Sequence, residues 1–233
     1  MMALPRTGDH GRRGFTVALI GCDGAGKTTV ARALERTPDL PVRYLYMGVS
    51  AESSNRRLPS TRIAHAVKQR RMTHRPPRPA GPPGLPRRTC RAGRAGLRLA
   101  NRLAEEWYRQ LIAQRYVARG WVVVFDRHFL ADYHASDVAG VDRPLSRRIH
   151  GWVLAHAYPR PALVILLDAP PEVLHARKGE GTLASLARRR ADYLGLGDAG
   201  CLDRAPSVVP ATQELPAVVA DVAGLIRDAA RSR

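Results

Sequence analysis

Cysteines are few in this chain, and its apolar runs are short. Only three cysteines occur among the 233 residues, Cys22, Cys90 and Cys201, and no two of them have the CxxC spacing. This pattern argues against a disulfide framework or a zinc site, so we expect a reducing, cytoplasmic setting. No run of eighteen apolar residues is present, which argues against a membrane-spanning helix. Residues 1–14 lack the apolar centre of a secretory signal and are predicted to be a flexible lead.

Lysine and acidic side chains are also scarce. Three of the 38 basic residues are lysines, and the 20 acidic residues leave a formal net charge of +18. Abundant arginine, alanine, proline and glycine are typical of GC-rich codon usage, which weakens a functional interpretation of the total charge. The distribution is more informative, because residues 56–119 contain 17 basic and two acidic side chains, a net charge of +15.

A glycine-rich loop is the most informative stretch. Residues 21–28 read GCDGAGKT and match the pattern G-x-x-x-x-G-K-[ST], which wraps nucleotide phosphates. Its glycines let backbone N–H groups turn towards phosphate oxygens, and the helix that follows adds the positive end of its dipole. Residues 15–20 predict a strand before the loop and residues 29–36 a helix after it. The predicted nucleotide-binding residues are Gly21, Asp23, Gly24, Ala25, Gly26, Lys27, Thr28 and Thr29.

Strand and helix patterns alternate along the rest of the chain. Further strands are predicted at residues 42–47, 121–126, 162–168 and 207–210. Helices are predicted at about 97–118, 144–156, from 170 onwards, 183–194 and 215–230. This alternation gives a parallel sheet covered on both faces. The predicted fold class is therefore α/β, a P-loop NTPase with a three-layer sandwich around a five-stranded parallel sheet.

One domain is predicted over residues 15–233, with a basic, proline-rich insertion at about 61–96. Within the insertion, residues 61–72 could form a basic helix, and six prolines between residues 74 and 88 interrupt regular structure. In the helix predicted after it, apolar residues are spaced for a single face. These are Leu99, Leu103, Trp107, Leu111 and Tyr116.

Two further groups of residues suit phosphoryl transfer. Asp126 and Arg127 follow an apolar strand, where a carboxylate would stand beside Mg²⁺ and an arginine could stabilise the transferring phosphoryl. The second group is a predicted basic lid at about residues 177–190, able to neutralise charge and exclude water. Within it, Arg177 is the predicted functional residue, whereas Arg189 and Arg190 are interpreted as a solvated helix face.

Together these motifs resemble the thymidylate-kinase-like branch of the P-loop nucleoside-monophosphate kinases. The matching stretches are GCDGAGKTT at residues 21–29, Asp126-Arg127, and LDAPPEV at residues 167–173. The resemblance implies ATP and Mg²⁺, with a metal site at Thr28 and Asp126 and with Asp23 facing the acceptor.

The resemblance also implies a set of catalytic residues. Thymidylate kinases carry a catalytic arginine in the phosphate loop or in the lid. The loop position here is Ala25, so the lid must supply it, Arg177 being the first choice and Arg188 the second. The predicted catalytic residues are Lys27, Asp126, Arg127 and Arg177.

The acceptor is not specified. The Arg-Glu-Pro-Gly-type element that follows the second strand in thymidylate kinases is replaced here by residues 47–55, MGVSAESSN. The loop at residues 53–55, with Arg56 or Arg57, is a candidate acceptor contact. Thymidylate itself is therefore doubtful, and a small-molecule acceptor such as a nucleoside monophosphate is the leading hypothesis.

Alternative functions remain open. The basic segment could bind nucleic acid, although it has few aromatics for base stacking. A membrane-surface role is weaker, because the segment lacks large apolar anchors. A degenerate kinase that binds ATP without transfer, and a homodimer, are also left open.

Overall fold

Five parallel strands form the centre of the protein. We describe residues 14–48, 87–129, 133, 143–197 and 202–233 from a computed structural model. The strands are β1 (Thr16–Ile20), β2 (Val42–Tyr46), β3 (Val122–Asp126), β4 (Leu163–Asp168) and β5 (Ser207–Pro210). Their order across the sheet is β2-β3-β1-β4-β5, and every neighbouring pair is parallel. The predicted fold class and strand number are confirmed.

The central strands β1 and β3 are short and almost entirely buried apolar runs. All five residues of β3, VVVFD, are buried, and so are four of the five residues of β1. Strands buried on both faces are expected to read as continuous apolar runs. The register pairs Asp126 with Leu19 of β1 and with Tyr46 of β2. The carboxyl ends of these three strands therefore meet at one edge of the sheet.

Helices flank the sheet. They are α1 (Lys27–Glu35), α2 (Arg87–Val117), α3 (Leu145–His156), α4 (Pro171–Lys178), α5 (Leu183–Leu194) and α6 (Leu215–Arg231). Helix α1 packs on β1 to β3 and on α6, whereas α2 packs on β2, β3 and α3. The helix expected at residues 183–194 is found with those bounds. No helix in the described ranges has the length and apolar character needed to cross a bilayer.

Helix α2 differs most from its prediction. It begins at Arg87, inside the stretch assigned to an insertion, and part of its predicted apolar stripe is exposed, although Tyr116 packs against the core. Trp107 is 38% exposed and Leu111 is 56% exposed. The buried side instead carries Glu106, Arg109, Gln110 and Ala113. Polar residues can occupy this side because α3 and the end of β2 supply partners for them.

Several predicted features lie outside the described residues. They are the N-terminal lead to residue 13, the acceptor loop at 53–55 with Arg56 and Arg57, the basic helix at 61–72, and the proline-rich stretch up to residue 86.

Candidate functional site

The glycine-rich loop connects β1 to α1, as the sequence predicts. Its backbone has positive φ at three glycines, 137° at Gly21, 90° at Gly24 and 84° at Gly26. A Cβ atom at Gly21 would lie 2.5 Å from the carbonyl oxygen of Leu167, so a larger residue would displace β4. Glycine is therefore required for the loop to close against the sheet. The N-terminus of α1 begins directly after the loop, which is a suitable position for an anion.

Lys27 lies across the inside of this loop. Its side chain is buried, and Nζ donates hydrogen bonds of 2.7 Å to the carbonyl oxygens of both Gly21 and Cys22. The ammonium group is thus held at the centre of the loop by backbone oxygens, where it can meet a phosphate. The neighbouring Ala25 is also buried. No cationic side chain stands at that loop position.

Thr28 and Asp126 form the adjacent part of the site. The Thr28 hydroxyl donates a 2.5 Å hydrogen bond to Oδ2 of Asp126, and the Tyr44 hydroxyl donates to the same oxygen at 3.3 Å. Burial, followed by the charge of Asp126, raises the pKa of Tyr44 well above its ordinary value, so Tyr44 stays a neutral donor. Parallel pairing of β1 with β3 therefore joins two predicted site residues that lie 98 positions apart.

The other oxygen of Asp126 has no protein partner. Oδ1 is buried, and no hydrogen-bond donor reaches it from the described part of the chain. A buried carboxylate oxygen beside a hydroxyl suits a hard divalent cation such as Mg²⁺, which usually takes one or two carboxylates and retains several waters. Within the described ranges there is no cluster of three or more histidine, cysteine or acidic residues for a metal. The donor set therefore fits Mg²⁺ better than a zinc-type site.

Three cations converge on Asp23 in the loop. Arg127 donates to Oδ1, Arg189 of α5 donates to Oδ2 at 3.1 Å, and Nζ of Lys178 lies 3.9 Å from Oδ1. Burial raises the pKa of Asp23, but the charges of Arg127 and Lys27 outweigh it, so this pKa lies below its ordinary value. Asp23 is thus an ionised carboxylate surrounded by cations. The same cations could neutralise a phosphoryl group.

Arg127 has an uncommon backbone conformation. Its φ is 72°, and it is the one non-glycine residue with positive φ in the described ranges. This left-handed conformation costs a non-glycine residue on the order of 1–2 kcal/mol. Gly48 leaves the space for Arg127, because a Cβ there would lie 2.7 Å from Arg127 Cδ. The conformation places the guanidinium on Asp23, and such strain is most often found at functional sites.

The lid region consists of the end of α4, a short turn and α5. Helix α4 ends at Gly179 with φ of 66°. Helix α5 begins with a capping box, in which the Thr182 hydroxyl accepts from the Ser185 amide and the Ser185 hydroxyl accepts from the Thr182 amide. The left-handed glycine at the end of α4 and the capping box of α5 fix the direction of α5 and thereby the position of Arg189.

The lid arginines have separate environments. Arg190 forms a bidentate pair with Asp168 at 2.6 and 2.7 Å, which ties α5 to the end of β4. Arg177 donates to the carbonyl oxygen of Ala211 at 2.8 Å, beyond the end of β5. The structure therefore brings Lys27, Asp126 and Arg127 together. It places Arg189, rather than Arg177, against the loop.

A buried polar cluster lies at the ends of β2 and β3. Arg109 of α2 donates to the carbonyl oxygen of Gly48 at 2.7 Å. The buried Gln110 amide interacts with the Tyr158 hydroxyl but forms no well-aligned hydrogen bond with the described residues, and Nε2 of His128 has no hydrogen-bond partner among them. Burial lowers the pKa of His128 from 6.5 to about 4, so this ring is neutral at pH 7. The cluster adjoins Arg127 through Gly48, which lies against Arg127 Cδ.

Sequence patterns missed several of these residues. Tyr44 and Arg109 belong to a strand and a helix that read as ordinary structure. Lys178 and Arg189 lie within the basic lid predicted at residues 177–190, but Lys178 was not singled out and Arg189 was assigned to a solvated helix face.

The sheet order, the loop and the position of Asp126 define the fold of the P-loop kinases. No protein-family model matches the chain, and no curated protein matches its sequence. Among solved structures, it is similar to deoxyadenosine kinase from M. mycoides, determined with the products dCMP and a flexible dCDP bound. The similarity covers 91% of this chain and 99% of that chain, with a TM-score of 0.51 and 14% sequence identity. At this identity the similarity establishes the fold alone.

Proposed function

We propose that this protein is an ATP-dependent kinase that transfers a phosphoryl group to a small-molecule acceptor. One observation carries the proposal. Lys27, the Thr28–Asp126 pair and the cations around Asp23 stand at one edge of the sheet. Phosphoryl transfer requires mainly positioning and charge neutralisation. Few other reactions need a phosphate loop, a buried carboxylate and several cations in one site.

Each residue has a role in this proposal. Lys27 would contact the β- and γ-phosphates, and Thr28 and Asp126 would hold Mg²⁺, which would supply positive charge to offset that of the phosphates. Arg127 orients the acceptor end of the transferring group through its guanidinium. Because position 25 is alanine, the lid supplies a further cation, and the contact with Asp23 supports Arg189 for that role. Arg177 remains the alternative that the sequence favours.

Two classes of acceptor are candidates. The sequence resemblance to thymidylate-kinase-like enzymes supports a nucleoside monophosphate. The fold similarity to a deoxyadenosine kinase supports a second candidate, a deoxynucleoside. In either case Gln110 could bind polar groups of the acceptor, because its buried amide, which interacts with the Tyr158 hydroxyl, forms no well-aligned hydrogen bond with the described residues.

The proposal is tested by incubating the purified chain with ATP, Mg²⁺ and separate panels of nucleosides, nucleoside monophosphates and sugars. We expect ADP release that depends on one acceptor class, and loss of release in Lys27→Ala and Arg127→Ala. Arg227→Ala, at an exposed arginine of α6 outside the lid, is the matched control that should retain activity. ATP binding without any acceptor-dependent ADP would indicate a degenerate kinase. Salt-sensitive nucleic-acid binding without acceptor stimulation would favour the nucleic-acid alternative.

A further inference from the structure

Arg109 of α2 is a charged side chain in the interior of the protein. It is 6% exposed, and burial lowers the pKa of its guanidinium, although the charge of Glu105 opposes this shift. Arginine stays protonated in proteins, so a full charge is buried here. Taking a charge out of water is costly, and a well-packed apolar side chain of similar size is often as stabilising or more so. The stability of the fold therefore does not explain why this position carries an arginine.

The contacts of Arg109 lie at the ends of two neighbouring strands. Nη1 donates a 2.7 Å hydrogen bond to the carbonyl oxygen of Gly48, which follows β2. The guanidinium also lies 5.9 Å from the centre of the Phe129 ring, within the range of a cation–π contact. Phe129 belongs to the segment that follows β3, two positions after Arg127. Arg109 thus contacts both of the segments that flank the Arg127 side chain.

Gly48 forms one wall of the space that Arg127 occupies. A Cβ atom at Gly48 would lie 2.7 Å from Cδ of Arg127 and would also overlap the Tyr46 hydroxyl, so no side chain fits between Gly48 and Arg127. The preceding amide, that of Met47, donates a 3.0 Å hydrogen bond to the carbonyl oxygen of Asp126. The position of the Gly48 backbone therefore limits where the Arg127 side chain can lie.

Arg127 depends on such a wall for its direction. Its left-handed backbone is a conformation that persists in a non-glycine residue only where the surroundings enforce it. The amide of Arg127 is held by the carbonyl oxygen of Leu19 at 3.1 Å, whereas its guanidinium must extend to Asp23 in the phosphate loop. The side chain is 27% exposed. A long, partly exposed side chain would sample other directions if the wall beside it moved.

We propose that Arg109 is a positioning residue, which holds the Gly48 backbone against Arg127 and so keeps the Arg127 guanidinium directed at the phosphate loop. Arg109 acts through Gly48 and Phe129 and does not touch the reacting groups. The inference rests on the proposed function, in which Arg127 orients the transferring group. It accounts for the buried charge, because the guanidinium fork can donate to a backbone carbonyl while its face lies near an aromatic ring.

Titration of the Asp23 carboxyl group by NMR tests the proposal without ATP, acceptor or turnover. Among the cations around Asp23, Arg127 lowers its pKa most, so this pKa reports whether the guanidinium is in place. Arg127→Ala should therefore raise it. We expect Arg109→Met to raise it by at least about half as much. Arg115→Met, at an exposed arginine of the same helix, is the matched control that should leave it unchanged. An unchanged Asp23 pKa in folded Arg109→Met would overturn the proposal.

Gly48→Ala is the second variant, and it decides the question if Arg109→Met does not fold. The added methyl group would press directly on Cδ of Arg127 while Arg109 itself is intact. The Asp23 pKa should rise in this variant too. A Gly48→Ala protein with the wild-type Asp23 pKa would show that the backbone at Gly48 does not position Arg127, and the proposal would be wrong.

Kinetics with an identified acceptor provide the second readout. Because a misplacement of about 1 Å can cost on the order of 10²-fold, Arg109→Met should lower kcat by about 10–100-fold while KM for ATP stays unchanged. In an Arg127→Lys background the same substitution should lower kcat by less than about twofold, since the residue that it positions is already altered. Additive effects would show that Arg109 acts independently of Arg127. The titration needs no turnover, so failure of the kinase assignment and failure of the positioning role can be told apart.

Discussion

Arg189 and Asp23 lie 166 residues apart in the sequence, and the Arg189 guanidinium donates a 3.1 Å hydrogen bond to the Asp23 carboxylate. This contact joins the lid to the phosphate loop. Arg127 and Lys178 approach the same carboxylate from other directions. An anion already occupies the position where cations gather, so a phosphoryl group would compete with Asp23 for them.

Replacing Arg189 should reduce catalysis with little effect on folding. The Arg189 side chain is 59% exposed, so Arg189→Ala should leave the free energy of unfolding nearly unchanged. Loss of one cation that acts on transition-state charge should lower kcat by about 10²–10³-fold. Steady-state kinetics with the identified acceptor measure this effect. Arg227→Ala, at an exposed arginine of α6 outside the lid, is the control.

The same kinetics also test the sequence prediction for Arg177. Arg177→Ala should change kcat less than Arg189→Ala does, because the Arg177 guanidinium is bonded to the Ala211 carbonyl. Near-complete loss of activity in Arg177→Ala, with an active Arg189→Ala enzyme, would restore Arg177 as the catalytic lid residue.

The left-handed conformation of Arg127 predicts a difference between two substitutions. Both Arg127→Gly and Arg127→Ala should lose transfer activity, since both remove the guanidinium. At φ of 72° glycine is unstrained whereas alanine is not. Arg127→Gly should therefore be more stable than Arg127→Ala by about 1 kcal/mol in urea unfolding. Equal stabilities would show that the segment relaxes and that this strain is absent.

The charge of Asp126 should be needed for activity but not for the stability of the fold. Its buried oxygen Oδ1 lacks a hydrogen-bond partner among the described residues, so Asp126→Asn removes a poorly compensated charge and should unfold no more easily than the wild type. It should also lose most Mg²⁺-dependent activity, which a Mg²⁺ titration of ADP release would measure. Asp168→Asn is the contrasting variant, since it weakens the bidentate pair with Arg190 and should lower stability. A marked loss of stability in Asp126→Asn would contradict the prediction.

Acid should destabilise the fold through His128. Its pKa is about 4 in the folded protein, against 6.5 for an unperturbed histidine, because burial disfavours the charged ring. Below pH 6.5 the unfolded chain binds a proton that the folded protein does not, so stability falls as pH decreases from 6.5 towards 4. The contribution is about 1–3 kcal/mol.

Urea unfolding at several pH values measures this effect. His128→Gln should show a shallower loss of stability over that pH window. His156→Gln, at an exposed histidine, should retain the wild-type slope. An identical slope for His128→Gln and the wild type would assign the acid sensitivity to other groups.

Local sequence patterns were sufficient to predict most secondary-structure elements and the phosphate loop. Residues 21–28 specify their own turn, because each glycine stands where the backbone has positive φ or approaches β4. The β-rich run ending at Asp126 likewise predicted β3 to within one residue. The alternation of strands with helices then predicted the parallel sheet, because strands connected by crossover helices can be arranged in few other ways.

Helix α2 shows why the sequence was insufficient elsewhere. Its apolar stripe predicted a buried face, yet Trp107 and Leu111 are exposed and Arg109 and Gln110 are buried. Hydrophobic periodicity reports which residues share a face, but not what that face meets. The polar side was buried because Gly48 and His150, distant in sequence, provide hydrogen-bond partners.

The sequence by itself predicted the fold class and the loop, and it singled out Lys27, Thr28, Asp126 and Arg127 as candidate site residues. These residues could be found from the sequence because a loop, a strand end and a helix start are each encoded by neighbouring residues. Only the tertiary structure placed Arg189, rather than Arg177, beside Asp23. That choice depends on how α5 is capped and how Arg190 binds β4. Such long-range contacts leave no periodic signal in the chain.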